Sequence, residues 1–410
     1  MASLPYALVG SFAAKPRNWE RQTLRQIRQI VGHAYSQVPF YQQRWQTTSF
    51  SLDSLASLAD FAQAPLIDRL DWRTASDEEI MPRHGMTLLV WHQSGGTLTG
   101  QPFSYPQRLP EELILRGQAI QSILGSGGRL LRLNSLDVNK PGGSAYLGRL
   151  LNVASTASTR QRLEAVLAHP FPTIASYPSI LWRVAVLALR DGVTLPGGTR
   201  SIRVGGEVMT PTMQHTIERV FRAPVRQGYA ATELGMLAQS CEVGHLHVRP
   251  RFSYLEIYAG DSAVGPGVWG EVVVTNFLSY ARPAIRLRTG DRARWGDDPC
   301  ACGSALPYFQ YVAGRLSERI ECPDGKIIYW PAVEEVLAPY GGRILGYQVE
   351  QTAPRSVTVR LCLDDPRETA DQYLPALTIL FKGLRITVVL TDNFHVSLSG
   401  KISPVIGYAR

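Results

Sequence analysis

The chain has 410 residues, and its 42 lysines and arginines against 34 aspartates and glutamates leave a net charge of +8. Apolar residues make up 45% and charged residues 19%, which supplies a packed core and argues against a disordered chain. No Lys/Arg run reaches five residues, so the surplus charge points to nucleotides, coenzyme A or acidic partners and not to nucleic acid.

The first fourteen residues lack the basic opening of a secretory signal, and Pro5 and Gly10 interrupt their apolar letters, so a cytoplasmic address is expected. From Trp19 to Tyr35, Leu24, Ile27, Ile30, Val31 and Ala34 recur at three- and four-residue steps. That spacing predicts an amphipathic helix with a solvated basic face. Leu88–Trp91 reads as a strand entering the small-residue loop Ser94-Gly95-Gly96-Thr97-Leu98-Thr99-Gly100-Gln101-Pro102. The longest uncharged stretches, His84–Gln107 and Ala165–Trp182, are broken by glycines and prolines, so no transmembrane span and no membrane partner are expected.

A helix over Pro110–Ile123 and a strand over Leu130–Leu133 begin an alternation that continues through Thr173–Ala175, Ser179–Arg190, Ser201–Val204 and Pro211–Phe221. This is the pattern of an α/β domain. Ser253–Thr275 reads instead as β-hairpins turning at Gly260-Asp261 and Gly265-Pro266-Gly267. After Gly314, strands at Ile344–Val349, Ser356–Leu363 and Arg385–Leu390 and helices at Pro331–Leu337 and Asp371–Phe381 predict a small α+β domain. The expected fold is therefore α/β, with a large domain over 1–314 that includes a β-rich subdomain, and a small α+β domain over 315–410.

The loop 94–102 can bring its backbone close to a phosphate and offer N–H groups and hydroxyls from Ser94, Gly95, Gly96, Thr97, Thr99 and Gly100, although it lacks a Walker ending. Further motifs follow in order. Gly205-Gly206-Glu207 comes after a strand, and Tyr229-Ala230-Ala231-Thr232-Glu233 after the run Ala223–Gly228. Arg286-Leu287-Arg288-Thr289-Gly290-Asp291, Gly314-Arg315 and Gly400-Lys401 complete the set. With Val38-Pro39-Phe40-Tyr41 and Tyr177-Pro178-Ser179, it resembles the adenylate-forming superfamily, most closely its phenylacetate–coenzyme A ligase branch.

The resemblance implies a nucleotide- and acyl-binding N-terminal domain, a mobile C-terminal lid, and activation of a carboxylic acid by ATP and magnesium. The acyl group would then pass from the adenylate to the thiol of coenzyme A. It also implies roles for individual residues. Glu233 would hold magnesium, Thr232 would bond the α-phosphate, and Tyr229 would lie beside adenine or the acyl pocket. Asp291 would accept the ribose hydroxyls, Arg315 would face phosphate or ribose, and Lys401 would bridge carboxylate and α-phosphate. Tyr177, Gly205 and Tyr229 would line the pocket of an aryl or arylalkanoic acid. A homodimer is a further implication.

The chain departs from the family pattern at Leu98 and Gln101 in the phosphate loop, at Ala230, and at Ser317 by the hinge. The alternatives are an enzyme that loads a carrier-protein phosphopantetheine or an amine, and a non-catalytic nucleotide-binding paralogue. Gln101 and Ser317 favour the paralogue, whereas Glu233, Asp291, Arg315 and Lys401 together oppose it.

Five cysteines are too few for a disulfide scaffold. Cys241, followed by His245 and His247, and Cys300-Ala301-Cys302 could supply three thiolates and one imidazole to a closed structural zinc site. Free thiols beside a surface histidine are the other reading of this spacing. His247 is the preferred ligand because its segment leads into a strand; His245, on the same face by period two, is the alternative. Cys322 and Cys362 read as buried apolar residues.

Overall fold

The computed structural model describes residues 19–84, 88–93, 103–114, 129–135, 150–154, 157–231, 233–397 and 401–408. The phosphate-loop residues Ser94, Gly95, Gly96, Thr97, Leu98, Thr99, Gly100 and Gln101, together with Thr232 and Gly400, lie outside the described residues, as does most of the expected helix Pro110–Ile123. The chain divides into two compact units, Met1–Ser122 with Gly228–Val312 and Ile123–Gln227 with Ala313–Arg410. This division differs from a boundary at 314, because residues 315–410 group with 123–227.

The first unit opens with the helix Trp19–Gln37, whose apolar stripe Ile27, Ile30, Val31 and Ala34 is fully buried, as its spacing predicts. Pro39 starts a second helix, Pro39–Gln46, where its missing N–H costs nothing. These helices cover a core with Phe61, Trp72, Val272, Val274 and Leu287 from the antiparallel strands and their neighbours. Ser253–Ala259 pairs with Trp269–Asn276, which pairs with Leu287–Trp295. The hairpins expected between Ser253 and Thr275 are present, with Gly260 at φ 61° in the turn.

The segment after the helices is bonded directly to the strand Leu287–Trp295. Ile67 N–H donates to the Arg286 carbonyl at 2.9 Å, and Arg288 N–H donates back to Ile67 at 2.9 Å. Trp72 Nε1 and the Tyr41 hydroxyl both donate to the Pro283 carbonyl, at 2.7 and 2.8 Å. A carbonyl has two lone pairs, so one buried oxygen satisfies both aromatic donors.

In the second unit, Leu150–Ala154, Leu130–Ser135, Thr173–Ser176 and Ser201–Gly205 form a parallel sheet in that order, flanked by the helices Thr159–Ala168, Pro178–Arg190 and Pro211–Phe221. A four-stranded sheet follows, ordered Arg385–Leu390, Ser356–Leu363, Ile344–Ala353, Val405–Ile406. The helix expected over Asp371–Phe381 is shorter, Leu374–Leu380, preceded by a 3-10 turn at Ala370–Gln372. Pro375 explains the break: a proline is tolerated in the first helical turn but removes a hydrogen bond further in.

Residues 315–410 are held to 123–227 by a dense polar and aromatic seam. Trp182 Nε1 and Thr216 Oγ1 both donate to the Leu345 carbonyl, at 2.7 and 2.8 Å. Trp182 stacks on Phe394 with centroids 4.7 Å apart, and Arg190 grips Asp392 through Nε and Nη2 at 2.7 and 2.8 Å. Among the described residues no helix is long and apolar enough to cross a membrane.

Gly346 lies against the Trp182 indole, where an added Cβ would come within 2.7 Å of Nε1. Both backbones there are held in sheet and helix, so the indole cannot withdraw freely. Gly346→Ala is expected to cost about 1–3 kcal/mol, seen as a lower urea midpoint at unchanged m-value.

Candidate functional site

The expected site residues fall in both units. In the first, the strand Val225–Ala231 carries Tyr229, whose hydroxyl donates to Asp291 Oδ2 at 2.8 Å. Asp291 sits on Leu287–Trp295 directly after Gly290, which has φ 75°. Its N–H donates to Thr289 Oγ1 at 3.1 Å, so the turn is braced by its own side chains. Two expected nucleotide residues, distant in sequence, are thereby joined by a hydrogen bond.

Glu233 is buried and ion-paired with Arg69, whose other terminal nitrogen donates to the Thr289 carbonyl. Arg69 was not anticipated: it opens the short helix Arg69–Thr74 after the capping residue Asp68, and nothing in its local spacing announces a partner far along the chain. Its guanidinium ties Glu233 to the strand that carries Asp291. A cavity of about 110 Å³ lies beside Glu233, lined among others by His92, Tyr105, Glu112 and Asn276. His92 Nε2 is 3.0 Å from Glu112 Oε2 and its ring stacks on Tyr105. Burial, then the charges of Glu233 and Glu112, push the Tyr105 hydroxyl well above the ordinary tyrosine value and keep it protonated.

In the second unit, the strand Ser201–Gly205 ends in Gly206 and Glu207, and these meet the N-terminus of the helix Pro178–Arg190. That helix has no side-chain cap of its own, and Glu207 supplies one by accepting the Ser179 N–H and Oγ–H, both at 2.9 Å. Gly206 has φ 79°, and a Cβ there would press on the Tyr177 ring at 3.0 Å, so both its conformation and its space require glycine. Lys401 reaches the same point: Nζ donates to the Gly206 carbonyl at 2.8 Å and lies 4.9 Å from the centre of the Tyr177 ring. Tyr177, Gly206, Glu207 and Lys401 are thus brought together. Arg315 is held at its backbone, with N–H donating to Glu318 Oε2 at 2.8 Å.

The cysteine cluster lies in the first unit. Ligand atoms of Cys241, His247, Cys300 and Cys302 lie within 4.8 Å of one another. Zinc at about 2.3 Å from sulfur and 2.0 Å from nitrogen gives tetrahedral edges of about 3.8 Å between sulfurs and about 3.5 Å between sulfur and nitrogen. The Cys241–Cys300 sulfurs are 3.8 Å apart, and Cys302 Sγ is 3.4 Å from His247 Nε2. His247 Nδ1–H donates to the Leu306 carbonyl at 3.0 Å, which leaves Nε2 with the lone pair that can bind a metal. Burial holds the His247 pKa below the ordinary value and pushes the Cys300 thiol up to about 12. The donor set fits zinc. His245 also approaches Cys300, with Nδ1 at 3.3 Å, but its ring stacks on Tyr308 and it stands outside the four-atom group.

Burial pushes Glu207 from the ordinary 4.5 up to about 7, against the opposing pull of the two Ser179 hydrogen bonds and of Lys401 and Arg183. The folded chain therefore binds this proton more tightly than the unfolded chain. That contribution to stability is complete below about pH 4.5 and is lost as pH rises through 7. Urea midpoints measured from pH 5 to 8 are expected to fall for the wild-type protein relative to Glu207→Gln, which has no carboxyl to titrate.

No family model matches the chain. In sequence, Protein CapK of Staphylococcus aureus is 25% identical over 119 residues, which is 29% of this chain and 25% of that protein, so the chain matches about a quarter of its length. In structure, 2-hydroxyisobutyryl-CoA ligase in its postadenylation state with 2-HIB-AMP superposes with a TM-score of 0.77 at 18% identity, covering 99% of this chain and 94% of that one. An anthranilate CoA ligase in complex with anthranoyl-AMP gives 0.54 at 16% identity, covering 76% and 65%. An amide bond synthetase from Marinactinospora thermotolerans gives 0.52 at 18%, covering 74% and 66%. The α/β architecture and the likeness over nearly the whole chain lead to one conclusion: this chain has the fold of the adenylate-forming acyl-CoA ligases.

Proposed function

We propose that this protein is an acid–thiol ligase. It activates a carboxylic acid with ATP to an acyl-adenylate, releases pyrophosphate, and passes the acyl group to the thiol of coenzyme A. The observation that carries this reading is the contact of Lys401 with Gly206 over the Tyr177 ring, because it brings a C-terminal cation to a glycine-lined strand end. The fold shared with enzymes seen holding acyl-adenylates supports it.

In the first half-reaction a carboxylate oxygen attacks the α-phosphorus, the bond to the β-phosphate oxygen breaks, and pyrophosphate leaves with the electron pair. Lys401 carries a positive charge on a flexible stem and neutralises carboxylate and α-phosphate oxygens as they approach. Asp291, held by the Tyr229 hydroxyl, accepts the ribose hydroxyls; Arg315 faces phosphate or ribose. Magnesium held by Glu233 would neutralise charge on the phosphate oxygens, and Arg69 orients that carboxylate. In the second half-reaction the thiol sulfur attacks the acyl carbon, its proton is lost, and AMP departs.

The donor is an aryl or arylalkanoic acid, in keeping with the branch that the motifs resemble. Zinc on Cys241, His247, Cys300 and Cys302 would be structural, with four protein ligands and no open position. A cytoplasmic location, where ATP, coenzyme A and reduced thiols coexist, completes the reading.

The test is pyrophosphate release from ATP and magnesium over a panel of aryl, hydroxy, fatty and amino acids, with and without coenzyme A. Acid-dependent turnover that requires coenzyme A is expected, and Lys401→Ala should reduce it by about 100-fold or more. A single turnover even with coenzyme A would point to a carrier-protein or amine acceptor, and no release with any acid would leave a nucleotide-binding paralogue. For the metal, elemental analysis should return one zinc per chain, with Cys302→Ser losing most of it and lowering Tm; metal-free wild-type protein would remove the zinc assignment.

A further inference from the structure

Lys401 sits on a chain segment between the strand Arg385–Leu390 and the short strand Val405–Ile406. A lysine with a long, flexible stem can act at one point only if its backbone is held. The described residues on either side of it, His395 and Ser403, converge on one buried side chain, Gln348 of the strand Ile344–Ala353. Gln348 Nε2 donates to the His395 carbonyl at 2.9 Å and to the Ser403 carbonyl at 3.0 Å, and its Oε1 accepts the His395 N–H at 2.8 Å. Both amide protons and one oxygen lone pair are in use, a pattern that neither a carboxylate nor an apolar side chain of that size reproduces.

We propose that Gln348 is a positioning residue for Lys401, clamping both flanks of its loop so that the ammonium is presented to the Gly206 end of the strand. Other described bonds reach one flank at a time: His395 Nδ1 also lies 3.0 Å from Glu350 Oε2 of the strand Ile344–Ala353. Ser397 and Lys401 exchange bonds of 2.8 and 3.1 Å, and Val349 N–H donates to the Pro404 carbonyl at 2.9 Å. Ser403 Oγ also donates to Glu318 Oε1 at 2.8 Å, and Glu318 in turn holds the Arg315 N–H. Only Gln348, among these described partners, joins the entering flank at His395 to the leaving flank at Ser403. Catalytic placement tolerates little error: a shift of about 1 Å can cost about 100-fold in rate.

This inference rests on the adenylation role given to Lys401 above, and the test separates the two. Each half-reaction is measured in wild-type, Lys401→Ala, Gln348→Leu and Gln348→Glu proteins. ATP–pyrophosphate exchange with phenylacetate, benzoate and 2-hydroxyisobutyrate reports adenylation, and thioester formation from coenzyme A and chemically prepared acyl-adenylates of the same acids reports transfer. Gln348→Leu is expected to lose exchange by about 10–100-fold while keeping transfer within about threefold. Gln348→Glu, which keeps the acceptor for His395 N–H but not the two donors, should fall between.

Amide hydrogen exchange supplies the readout on the protein alone. The His395 amide should exchange about tenfold faster in Gln348→Leu, with the Val359 and Leu361 amides unchanged. ATP–pyrophosphate exchange that survives Lys401→Ala would overturn the adenylation role given to Lys401, and this inference with it. Loss in Lys401→Ala but not in Gln348→Leu would overturn the positioning role alone. A parallel fall of both half-reactions in both Gln348 variants, or an unchanged His395 amide, would make Gln348 merely structural and also overturn it.

Discussion

The first unit depends on the burial of charge along residues 282–289. Arg286 is almost fully buried at φ 48°, a left-handed conformation that costs a residue with a Cβ about 1–2 kcal/mol. It persists because the guanidinium finds partners on every side: the Ala62 and Ala64 carbonyls, Glu256 and the Tyr258 hydroxyl. Arg282 does the same for the Trp72 and Ala75 carbonyls and Asp77. A buried guanidinium left unpaired would be far more costly than any single bond it makes, so the N-terminal segment and this strand must fold against each other or not at all. Arg69 extends the same strap to Glu233, and the placement of Asp291 follows from it.

The second unit solves a related problem with aromatic packing and shared carbonyls. Leu345 offers one oxygen to both Trp182 and Thr216, and the indole is then sandwiched by Phe394 and by a backbone that admits only glycine at 346. The contact is part of a continuous core, in which Leu345, Cys362, Phe394 and Ile402 pack with residues of the parallel sheet and its helices. Around it stand exposed or half-exposed ion pairs, Arg190–Asp392 and Arg219–Asp364, which contribute orientation more than stability.

The cysteine cluster does for two loops what the arginine strap does for the helices. Cys241 and the strand Leu246–Val248 belong to one hairpin region, and Cys300 and Cys302 to the loop before Tyr308–Arg315. The two strands pair through His247 and Tyr308, so the ligand atoms converge where the ladder already sets the register. His247 supplies the fourth atom of the group, while His245 stacks on Tyr308 and approaches Cys300 from its edge.

Periodicity and short motifs alone were enough for several elements: the buried stripe of Trp19–Gln37, the hairpins after Ser253, the alternation of the parallel sheet, and the ordered motif set that carries the resemblance. They are legible because each depends on neighbours a few residues apart. The helix Thr159–Ala168 was also legible, through its Ser158 and Gln161 capping box, but was not anticipated. The pairing of Glu233 with Arg69, the capping of Ser179 by Glu207, and the clamp of Gln348 on His395 and Ser403 were decided only by the tertiary structure. Each joins side chains that no local spacing relates, and each exists because burial leaves a donor or a charge that must find a partner wherever the fold brings one.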